Sequence, residues 1–461
     1  MEGEPMARSD GGAALTASTI DFSTHSPGCP LDFRSVAEAR PDVPALIDRG
    51  FVTSYRALAD RVKAVVSQLK RAGFHARTPL AWNAALDVEA LVEALAALQC
   101  GVPLVPLDPR HPPAEQHRRK ALAGAAKLDE TPKESLREDD VLAVLFTSGS
   151  TGTPKGVVLT RGGAHAALSA SARRIGWEAH ERWALTLPPS HIGGLSVVLR
   201  TLSAGRTLVL GEGSASLPTL LEMHRVSIVS LVPTQLRWLV NTGRRAPTSL
   251  RVVLVGGAAL APSLRAEASA LGYPIWTTYG MTETCAQAAT ARPGDGACGQ
   301  LLHGFEGRIV DGVLELKGPA MFRRYLDEAP IEGFFRTGDL ARFDDDGSLH
   351  ILGRADERII SGGENVDPLA VEAALAKAGF TQCIAFGIPD ATWGQRVAIA
   401  FEGELPDLNA LRSASEILPT YARPRVAVRV PSFPRTASGK VQRRALAAGE
   451  GKPVELFGGS A

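Results

Sequence analysis

A segment rich in glycine and hydroxyl groups, enclosed by two apolar runs, is the feature that most constrains the fold of this chain. Thr147–Gly156 reads TSGSTGTPKG; it follows Val141–Phe146, an apolar run that predicts a buried strand, and precedes a second run, Val157–Leu159. Its three glycines allow backbone N–H groups to turn inward, and its hydroxyls and lysine add donors, which suits a polyanion such as the phosphates of a nucleotide. The usual P-loop would place Ser or Thr after the lysine, whereas Gly156 follows Lys155 here. The alternative is a flexible surface loop.

Composition and charge predict a globular protein of about two to three domains. The 461 residues are 45% hydrophobic and 21% charged, which is typical of a folded soluble chain. A formal net charge of +1 gives no reason to expect a nucleic acid or an anionic membrane as a partner. The five cysteines form no C-x-x-C pair, so we expect reduced thiols in the cytoplasm rather than a zinc site or disulfides. No apolar run approaches the ~20 residues of a membrane span.

Glycine turns follow three predicted strands, namely Val141–Phe146, Val252–Val255 and Ile275–Thr278. Open α/β sheets bind ligands at such strand ends, so we expect an α/β protein in which three loops converge on one site. After Gly304 the pattern becomes β-rich, with Asp-Gly pairs that predict hairpin turns. A polar run over 353–358 then separates this part from a βαβ-like tail, and we place a domain boundary there.

Two further motifs carry chemistry that a nucleotide site needs. Thr278–Glu283 offers a hydroxyl for a phosphate oxygen and a carboxylate for Mg²⁺, although Thr and Glu after a turn could equally cap a helix. Arg336–Leu340 places Asp339 after a tight turn, where its carboxylate can accept hydrogen bonds from both ribose hydroxyls; the alternative is an Asp that only forms the turn.

Charged residues near the predicted boundary and near the C terminus complete the set. Arg354 and Asp356 offer a second ribose ligand and a candidate hinge, with a surface salt bridge as the alternative. Lys440, in the Ser/Gly loop Pro434–Val441, could stabilise charge at the α-phosphate, although a lone lysine in such a loop is commonly only solvated. Because this loop is far along the chain, its lysine would need a domain closure to reach the site.

These signatures, in this order, resemble the adenylate-forming superfamily of acyl-CoA synthetases, luciferases and adenylation domains, over about Leu31–Ala447. The resemblance implies an α/β fold, with a large N-terminal domain of α/β sheets plus a β-barrel-like part and a small mobile α+β C-terminal domain. We therefore predict a disordered leader over 1–29, the N-terminal domain over 30–353, the C-terminal domain over 354–447 and a loose tail over 448–461. The implied reaction joins a small-molecule carboxylate to CoA, through an acyl-adenylate formed from ATP with Mg²⁺.

The same resemblance implies a role for particular residues. The catalytic residues would be Lys440, Thr282 and His191, with Glu283 on Mg²⁺ and Asp356 as the hinge. The remaining implied contacts are Thr147, Ser148, Gly149, Ser150, Thr151, Gly152 and Lys155 on the β- and γ-phosphates; Gly256, Gly257, Ala258, Thr278, Tyr279 and Gly280 around adenine; Asp339 and Arg354 on ribose; and Gly362 and Gly363 along the pantetheine tunnel.

The segment Leu187–Leu195 resembles the superfamily's substrate-helix motif, in which His191 would be the gate beside the acyl pocket. No aspartate stands between His191 and Gly205, which argues against an amino-acid substrate. Gly193, Ser196 and Arg200 share one helical face by their spacing, and the Arg200 guanidinium could pair with a second carboxylate. An Arg200 exposed to solvent is an equal alternative on sequence alone.

Three stretches, 191–200, 229–236 and 279–287, resemble most closely one branch of the superfamily, the o-succinylbenzoate–CoA ligases of menaquinone synthesis. This resemblance implies a dicarboxylate substrate whose benzoate carboxylate would be held by Arg200 while the succinyl carboxylate is activated. The alternatives are a ligase for another aryl or fatty acid, and a non-catalytic nucleotide-binding relative. A homodimer is left open.

Overall fold

The computed structural model describes residues 33–75, 78–125, 136–147, 155–211, 217–295, 297–435, 441–449 and 453–456, without the side chains of residues 123, 125 and 453. The predicted leader, the phosphate-loop residues Ser148, Gly149, Ser150, Thr151 and Gly152, and the predicted catalytic Lys440 lie outside these ranges.

The helices of the described ranges are α1 (Phe33–Ala39), α2 (Tyr55–Arg71), α3 (Val88–Gln99), α4 (Pro113–Ala125), α5 (Arg161–Ile175), α6 (Ile192–Ser203), α7 (Leu217–Met223), α8 (Pro233–Asn241), α9 (Pro262–Ala270), α10 (Pro368–Lys377), α11 (Leu408–Ser415) and α12 (Arg443–Ala448). Side-chain caps begin several of them: the Ser54 hydroxyl accepts the Ala57 N–H before α2, and the Asp87 carboxylate accepts the Ala90 N–H before α3.

The strands of the same ranges are β1 (Pro44–Asp48), β2 (Phe51–Ser54), β3 (Leu80–Asn83), β4 (Leu104–Leu107), β5 (Val141–Thr147), β6 (Lys155–Thr160), β7 (Arg182–Leu185), β8 (Thr207–Leu210), β9 (Ile228–Leu231), β10 (Val252–Val255), β11 (Ile275–Tyr279), β12 (Ala289–Ala291), β13 (Glu306–Val310), β14 (Val313–Lys317), β15 (Arg324–Tyr325), β16 (Phe335–Phe343), β17 (Leu349–Arg354), β18 (Ile359–Ser361), β19 (Glu364–Val366), β20 (Cys383–Asp390), β21 (Gly394–Glu402), β22 (Val426–Val430) and β23 (Pro453–Glu455).

A large sheet in the order β12-β11-β10-β9-β7-β8-β1-β2 forms one layer of the N-terminal part. Its central strands run parallel, and antiparallel strands lie at both edges. Strands β8, β9 and β10 are buried at every position, as strands of a parallel sheet covered on both faces must be. The carboxyl ends of β10 and β11 are adjacent, so the loops that follow them meet at one edge of the sheet.

A second sheet, in the order β15-β6-β5-β4-β3, contains the two apolar runs that enclose the phosphate-loop motif Thr147–Gly156. Strands β5 and β6 pair antiparallel, with Thr147 opposite Lys155, so the two apolar runs enclosing the phosphate-loop motif form a hairpin. The prediction of a buried strand on each side is therefore confirmed, because both runs are buried.

Two smaller sheets complete the fold. The part expected to resemble a barrel contains the antiparallel sheet β13-β14-β16-β17, whose hairpins turn at the predicted Asp-Gly pairs. Strands β18 to β23 form the last sheet, against which α10, α11 and α12 pack, with its own apolar cluster around Val397, Ile399 and Leu411. The predicted domain boundary falls at the end of β17. Within the described ranges, no helix has the length and apolar character needed to cross a membrane.

Candidate active site

The predicted ribose ligand Asp339 lies where the two kinds of sheet meet. The Tyr279 hydroxyl, at the end of β11, donates to Asp339 Oδ2 at 2.6 Å, and Arg354 Nη1 donates to Asp339 Oδ1 at 3.2 Å. Asp339 and Arg354 are opposite each other in the β16–β17 pair, which fixes their register. Burial and the Asp339 carboxylate raise the pKa of Tyr279, so the phenol stays a donor. Three residues predicted from separate motifs therefore form one network.

Arg354 extends this network to the predicted hinge. Its Nε donates to Asp356 Oδ1 at 3.0 Å, and its Nη1 also donates to the Thr337 carbonyl at 3.2 Å. Burial alone would raise the pKa of Asp356, but the hydrogen bond and charge of Arg354 outweigh it and lower that pKa. The Asp356 carboxylate also lies 3.5 Å from Arg444 of α12. The sequence left a salt bridge as the alternative role of Arg354 and Asp356. That salt bridge is present, and it is part of the candidate site.

The residues predicted to flank adenine follow adjacent strands. Gly256, Gly257 and Ala258 come directly after β10, with the Gly256 N–H bonded to the Leu231 carbonyl at 3.1 Å. Thr278 lies near the end of β11, where its hydroxyl donates to the Ala289 carbonyl at 2.9 Å. Gly280 follows β11, and the space a side chain would need there is filled by the Ala286 carbonyl. The loops after β10 and β11, two of the three that the sequence predicts to converge, therefore lie at the same edge of the large sheet.

The candidate metal ligand Glu283 is buried and held by a tyrosine. Tyr325 donates to Glu283 Oε1 at 2.8 Å, and the Lys155 ammonium lies 4.6 Å from the centre of the Tyr325 ring. Burial raises the pKa of Glu283, although the Tyr325 hydrogen bond works against it. Tyr325 therefore connects Lys155, next to the phosphate-loop motif, with Glu283 and the adjacent Thr282.

One buried carboxylate fits Mg²⁺ better than a metal that needs a protein cage. Magnesium keeps several waters and is bound through one or two carboxylates plus substrate phosphates. Among the residues that the structure describes, no group of three or more His, Cys, Asp and Glu side chains could enclose an ion. Glu283 is a hard oxygen donor beside the Lys155 end of the phosphate loop, so it could hold a magnesium ion that a triphosphate brings.

His191 directly precedes helix α6 and faces a buried acid, Asp108, that no sequence motif indicated. His191 Nε2 lies 3.8 Å from Asp108 Oδ2, and the same oxygen accepts the Ser190 hydroxyl at 3.1 Å. Arg110 donates to both oxygens of Asp108, through Nε to Oδ1 at 2.9 Å and through Nη2 to Oδ2 at 2.6 Å. Burial lowers the pKa of His191, which favours its neutral form at pH 7. The residue predicted as a gate is therefore set against a fixed carboxylate.

Arg200 is buried, which excludes the solvent-exposed alternative left by the sequence. The residue is 3% exposed, and neither its Nε nor its Nη2 has a hydrogen-bond partner among the residues that the structure describes. Burial lowers the pKa of Arg200 to about 10, so it is still charged at neutral pH. On the same helix face, the Ser196 hydroxyl donates to the Gly193 carbonyl at 3.0 Å. Burying a cation whose nitrogens lack partners is costly, and a bound anion would offset that cost.

The remaining predicted residues lie in the C-terminal sheet. Gly362 and Gly363 form the exposed turn between β18 and β19, where the Gly362 N–H bonds the Trp393 carbonyl at 2.9 Å. The structure places the following predicted residues in two clusters. Tyr279, Asp339, Arg354 and Asp356 are joined by direct hydrogen bonds, whereas Lys155 and Glu283 both contact Tyr325, and Thr282 adjoins Glu283 in sequence. The charges of Arg354 and Asp339 both act on the pKa of Glu283, so the two clusters lie within electrostatic range of each other.

Comparison with known proteins identifies the family of this chain. The sequence model described as "AMP-binding enzyme" matches residues 33–128 and 116–326, and that described as "AMP-binding enzyme C-terminal domain" matches residues 370–440. A 2-succinylbenzoate–CoA ligase of Bacillus licheniformis is 30% identical over 471 residues, covering 89% of this chain and 98% of the relative.

Two solved structures from Bacillus subtilis agree with this comparison. The o-succinylbenzoate CoA synthetase in complex with its acyl-adenylate intermediate has a TM-score of 0.82 at 26% identity, covering 91% of this chain and 98% of its own. The same enzyme in complex with ATP and magnesium ion has a TM-score of 0.79 at 26% identity, covering 90% and 98%. The matched family model spans more than half of the sequence, and this chain is a member of the AMP-binding enzyme family.

Proposed function

We propose that this chain is an ATP-dependent acid–thiol ligase that converts 2-succinylbenzoate into its CoA thioester, with AMP and pyrophosphate as the other products. The observation that supports this choice of substrate is the buried Arg200 guanidinium, because two of its nitrogens have no hydrogen-bond partner among the described residues. The relatives named as 2-succinylbenzoate–CoA ligases support the same assignment.

The reaction divides into two displacements. In the first, a carboxylate oxygen of the acid attacks the α-phosphorus of ATP, the bond to the bridging oxygen breaks, and pyrophosphate leaves with that electron pair. In the second, the CoA thiolate attacks the acyl carbon of the adenylate and AMP leaves. Both steps depend mainly on positioning and charge stabilisation, which are what this network of residues can provide.

Nucleotide binding is assigned to the network around Asp339. Its carboxylate, held by Tyr279 and Arg354, would accept the ribose hydroxyls, while the loops after β10 and β11 would enclose adenine. Thr147 to Lys155 and Thr282 would bind phosphate oxygens. Glu283 would hold Mg²⁺, which when bound neutralises phosphate charge. Lys440, outside the described residues, is proposed for charge stabilisation at the α-phosphate.

The acid would lie along α6 between His191 and Arg200. The two carboxylates of 2-succinylbenzoate have different tasks: the ring carboxylate pairs with Arg200, and the succinyl carboxylate attacks phosphorus. Gly193 and Ser196 are small residues on the same face, which leaves room for an aromatic ring. A guanidinium binds a carboxylate through two parallel hydrogen bonds, so Arg200 would also fix the orientation of the acid.

Gly362, Gly363 and the hinge Asp356 are proposed for the second step, in which the C-terminal sheet would present the β18–β19 turn to pantetheine. CoA is the proposed acceptor because the relatives are named as CoA ligases. A homodimer and a cytoplasmic location stay predictions.

Pyrophosphate release with a panel of acids tests the proposal. We expect a strong response to 2-succinylbenzoate, weak responses to benzoate and octanoate, and a CoA thioester of the first acid by mass spectrometry. A strong response to benzoate or octanoate and none to 2-succinylbenzoate would favour a ligase for another acid. No pyrophosphate with any acid would favour the non-catalytic alternative.

A further inference from the structure

A basic cavity lies on the edge of the large sheet that faces away from the candidate active site. It has a volume of about 790 Å³, and its lining includes Arg225, Arg244 and Arg245. These residues precede strands β9 and β10, whereas the predicted nucleotide residues follow β10 and β11. Since these strands are parallel, the cavity and the nucleotide site are at opposite ends of the same strands.

The three guanidinium groups have no counter-charge of their own. Within the described part of the chain, none of them makes a hydrogen bond or an ion pair. The lining holds one acidic side chain, Glu222, so its formal charge is strongly positive. Exposed arginines near one another repel, and an anion bound between them relieves that repulsion.

Arg225 occupies a backbone position where a glycine would be less strained. Its φ is +47°, and it follows α7 in the left-handed position that closes a helix end. There the Arg225 N–H bonds the Glu222 carbonyl at 3.1 Å, and the Val226 N–H bonds the Leu221 carbonyl at 2.9 Å. This left-handed conformation is a common way to close a helix end, and a glycine would adopt it at less cost.

Hydrogen bonds between loops hold the cavity in shape. The Ser249 hydroxyl donates to the Val226 carbonyl at 3.1 Å, which joins the loop before β9 to the loop before β10. The Tyr273 hydroxyl, just before β11, donates to the Arg244 carbonyl at 3.0 Å. The backbone that carries the arginines is therefore fixed, and the ordering that binding requires is confined to their side chains.

We propose that this cavity binds an organic phosphate monoester. A phosphate monoester carries close to two negative charges above its second pKa, and its oxygens match the planar donor forks of arginine. The volume exceeds what a phosphate ion needs and falls within the range of small-molecule sites. Pro218, Ala246 and Pro247, which are partly exposed, give the wall an apolar part for the organic group. The proposal goes beyond the ligase reaction and does not depend on it.

Calorimetric titration with phenyl phosphate, at low salt and with the nucleotide site saturated by Mg·ATP, tests the proposal on the full chain. We expect one phenyl phosphate per chain, and at least about tenfold weaker binding in the Arg225→Gln/Arg244→Gln/Arg245→Gln variant. A matched control changes three exposed arginines elsewhere, Arg71→Gln/Arg173→Gln/Arg429→Gln, and should bind as the parent does.

A second variant separates binding from folding. Arg225→Gly removes one guanidinium and relieves the positive φ, so it should weaken phenyl phosphate binding while the melting temperature stays the same or rises. The proposal is overturned if the triple Gln variant binds as tightly as the parent, or if Mg·ATP displaces phenyl phosphate. Equal binding of inorganic phosphate or of benzoate would also overturn it, because the site would then not select an organic phosphate.

Discussion

The Tyr279 hydroxyl donates to Asp339 Oδ2 at 2.6 Å, and this bond joins the parallel sheet to the antiparallel one at the candidate ribose site. Each residue alone is a common turn or strand-end residue. Together with Arg354, they hold a carboxylate that is 7% exposed in a single orientation.

Tyr279→Phe should weaken ATP binding without unfolding the protein. The change removes a hydrogen bond to a charged group, worth about 1.5–3 kcal/mol, so we expect a KM for ATP about tenfold higher or more. Tyr273→Phe is the matched control, because its hydroxyl bonds a carbonyl at the opposite edge of the sheet. Equal ATP affinities in the parent and the Tyr279 variant would show that Tyr279 has no role in ATP binding.

Gly338→Ala should displace the Arg354 guanidinium. Gly338 has φ +78°, and an added Cβ would lie 3.1 Å from Arg354 Nη2. Gly347→Ala is a control with nearly the same φ, +80°, and open space around the added atom. Both variants should lose about 1–2 kcal/mol of unfolding free energy to the left-handed backbone. Only the first should raise the KM for ATP; a similar KM in both would contradict the proposed role of Arg354.

Glu283→Gln should stabilise the protein while it damages catalysis. Burial raises the pKa of Glu283 above 4.5, so the folded state binds this proton more tightly than the unfolded state. Stability from this group is thus fully present below pH 4.5 and is lost as pH rises through the folded pKa. Glutamine does not titrate, so its melting-temperature advantage over the parent should grow between pH 5 and pH 8.

The same variant loses the proposed Mg²⁺ ligand. Pyrophosphate release should fall by at least about 10-fold, with partial recovery at high Mg²⁺. Unchanged pyrophosphate release at limiting Mg²⁺ would be inconsistent with a metal role for Glu283.

Gly363→Ala should separate the two half-reactions. Gly363 has φ +82° and no atom within 4 Å of an added Cβ, so adenylate formation should persist. If this turn lines the pantetheine path, thioester formation should fall by about tenfold or more. Gly403→Ala is the control, because Gly403 has φ +77° and equally open space in the same sheet. It introduces the same backbone strain and should leave both half-reactions unchanged. Parallel losses in both variants would point to a folding effect.

The sequence predicts those parts of the site in which one short segment carries both the strand and its turn. The motifs around Gly256 and Tyr279 are of this kind, and their strands lie where the patterns place them. The prediction that Asp339 follows a tight turn is wrong, because Asp339 lies within strand β16 and pairs with Arg354 of β17. Asp108 and Tyr325 were missed because their roles come from contacts far along the chain, with Ser190 and Glu283 respectively. No local pattern marks such a contact.

Arg200 illustrates a second limit of prediction from the sequence. Helical spacing predicts which residues share a face, but α6 is buried on almost every side, so its periodicity cannot show whether a charged residue meets solvent. Burial of the guanidinium is a property of the sheets packed around the helix, and only the structure reveals it.

The pairing of Arg200 with the ring carboxylate is the central claim, and a cycle of substrate and enzyme changes tests it most directly. The measurement compares kcat/KM for 2-succinylbenzoate and for 4-oxo-4-phenylbutanoate, which lacks the ring carboxylate, in the parent and in Arg200→Met. The account predicts a preference for 2-succinylbenzoate of about 100-fold in the parent, which collapses to about threefold or less in the variant. A variant that keeps the full preference would contradict it.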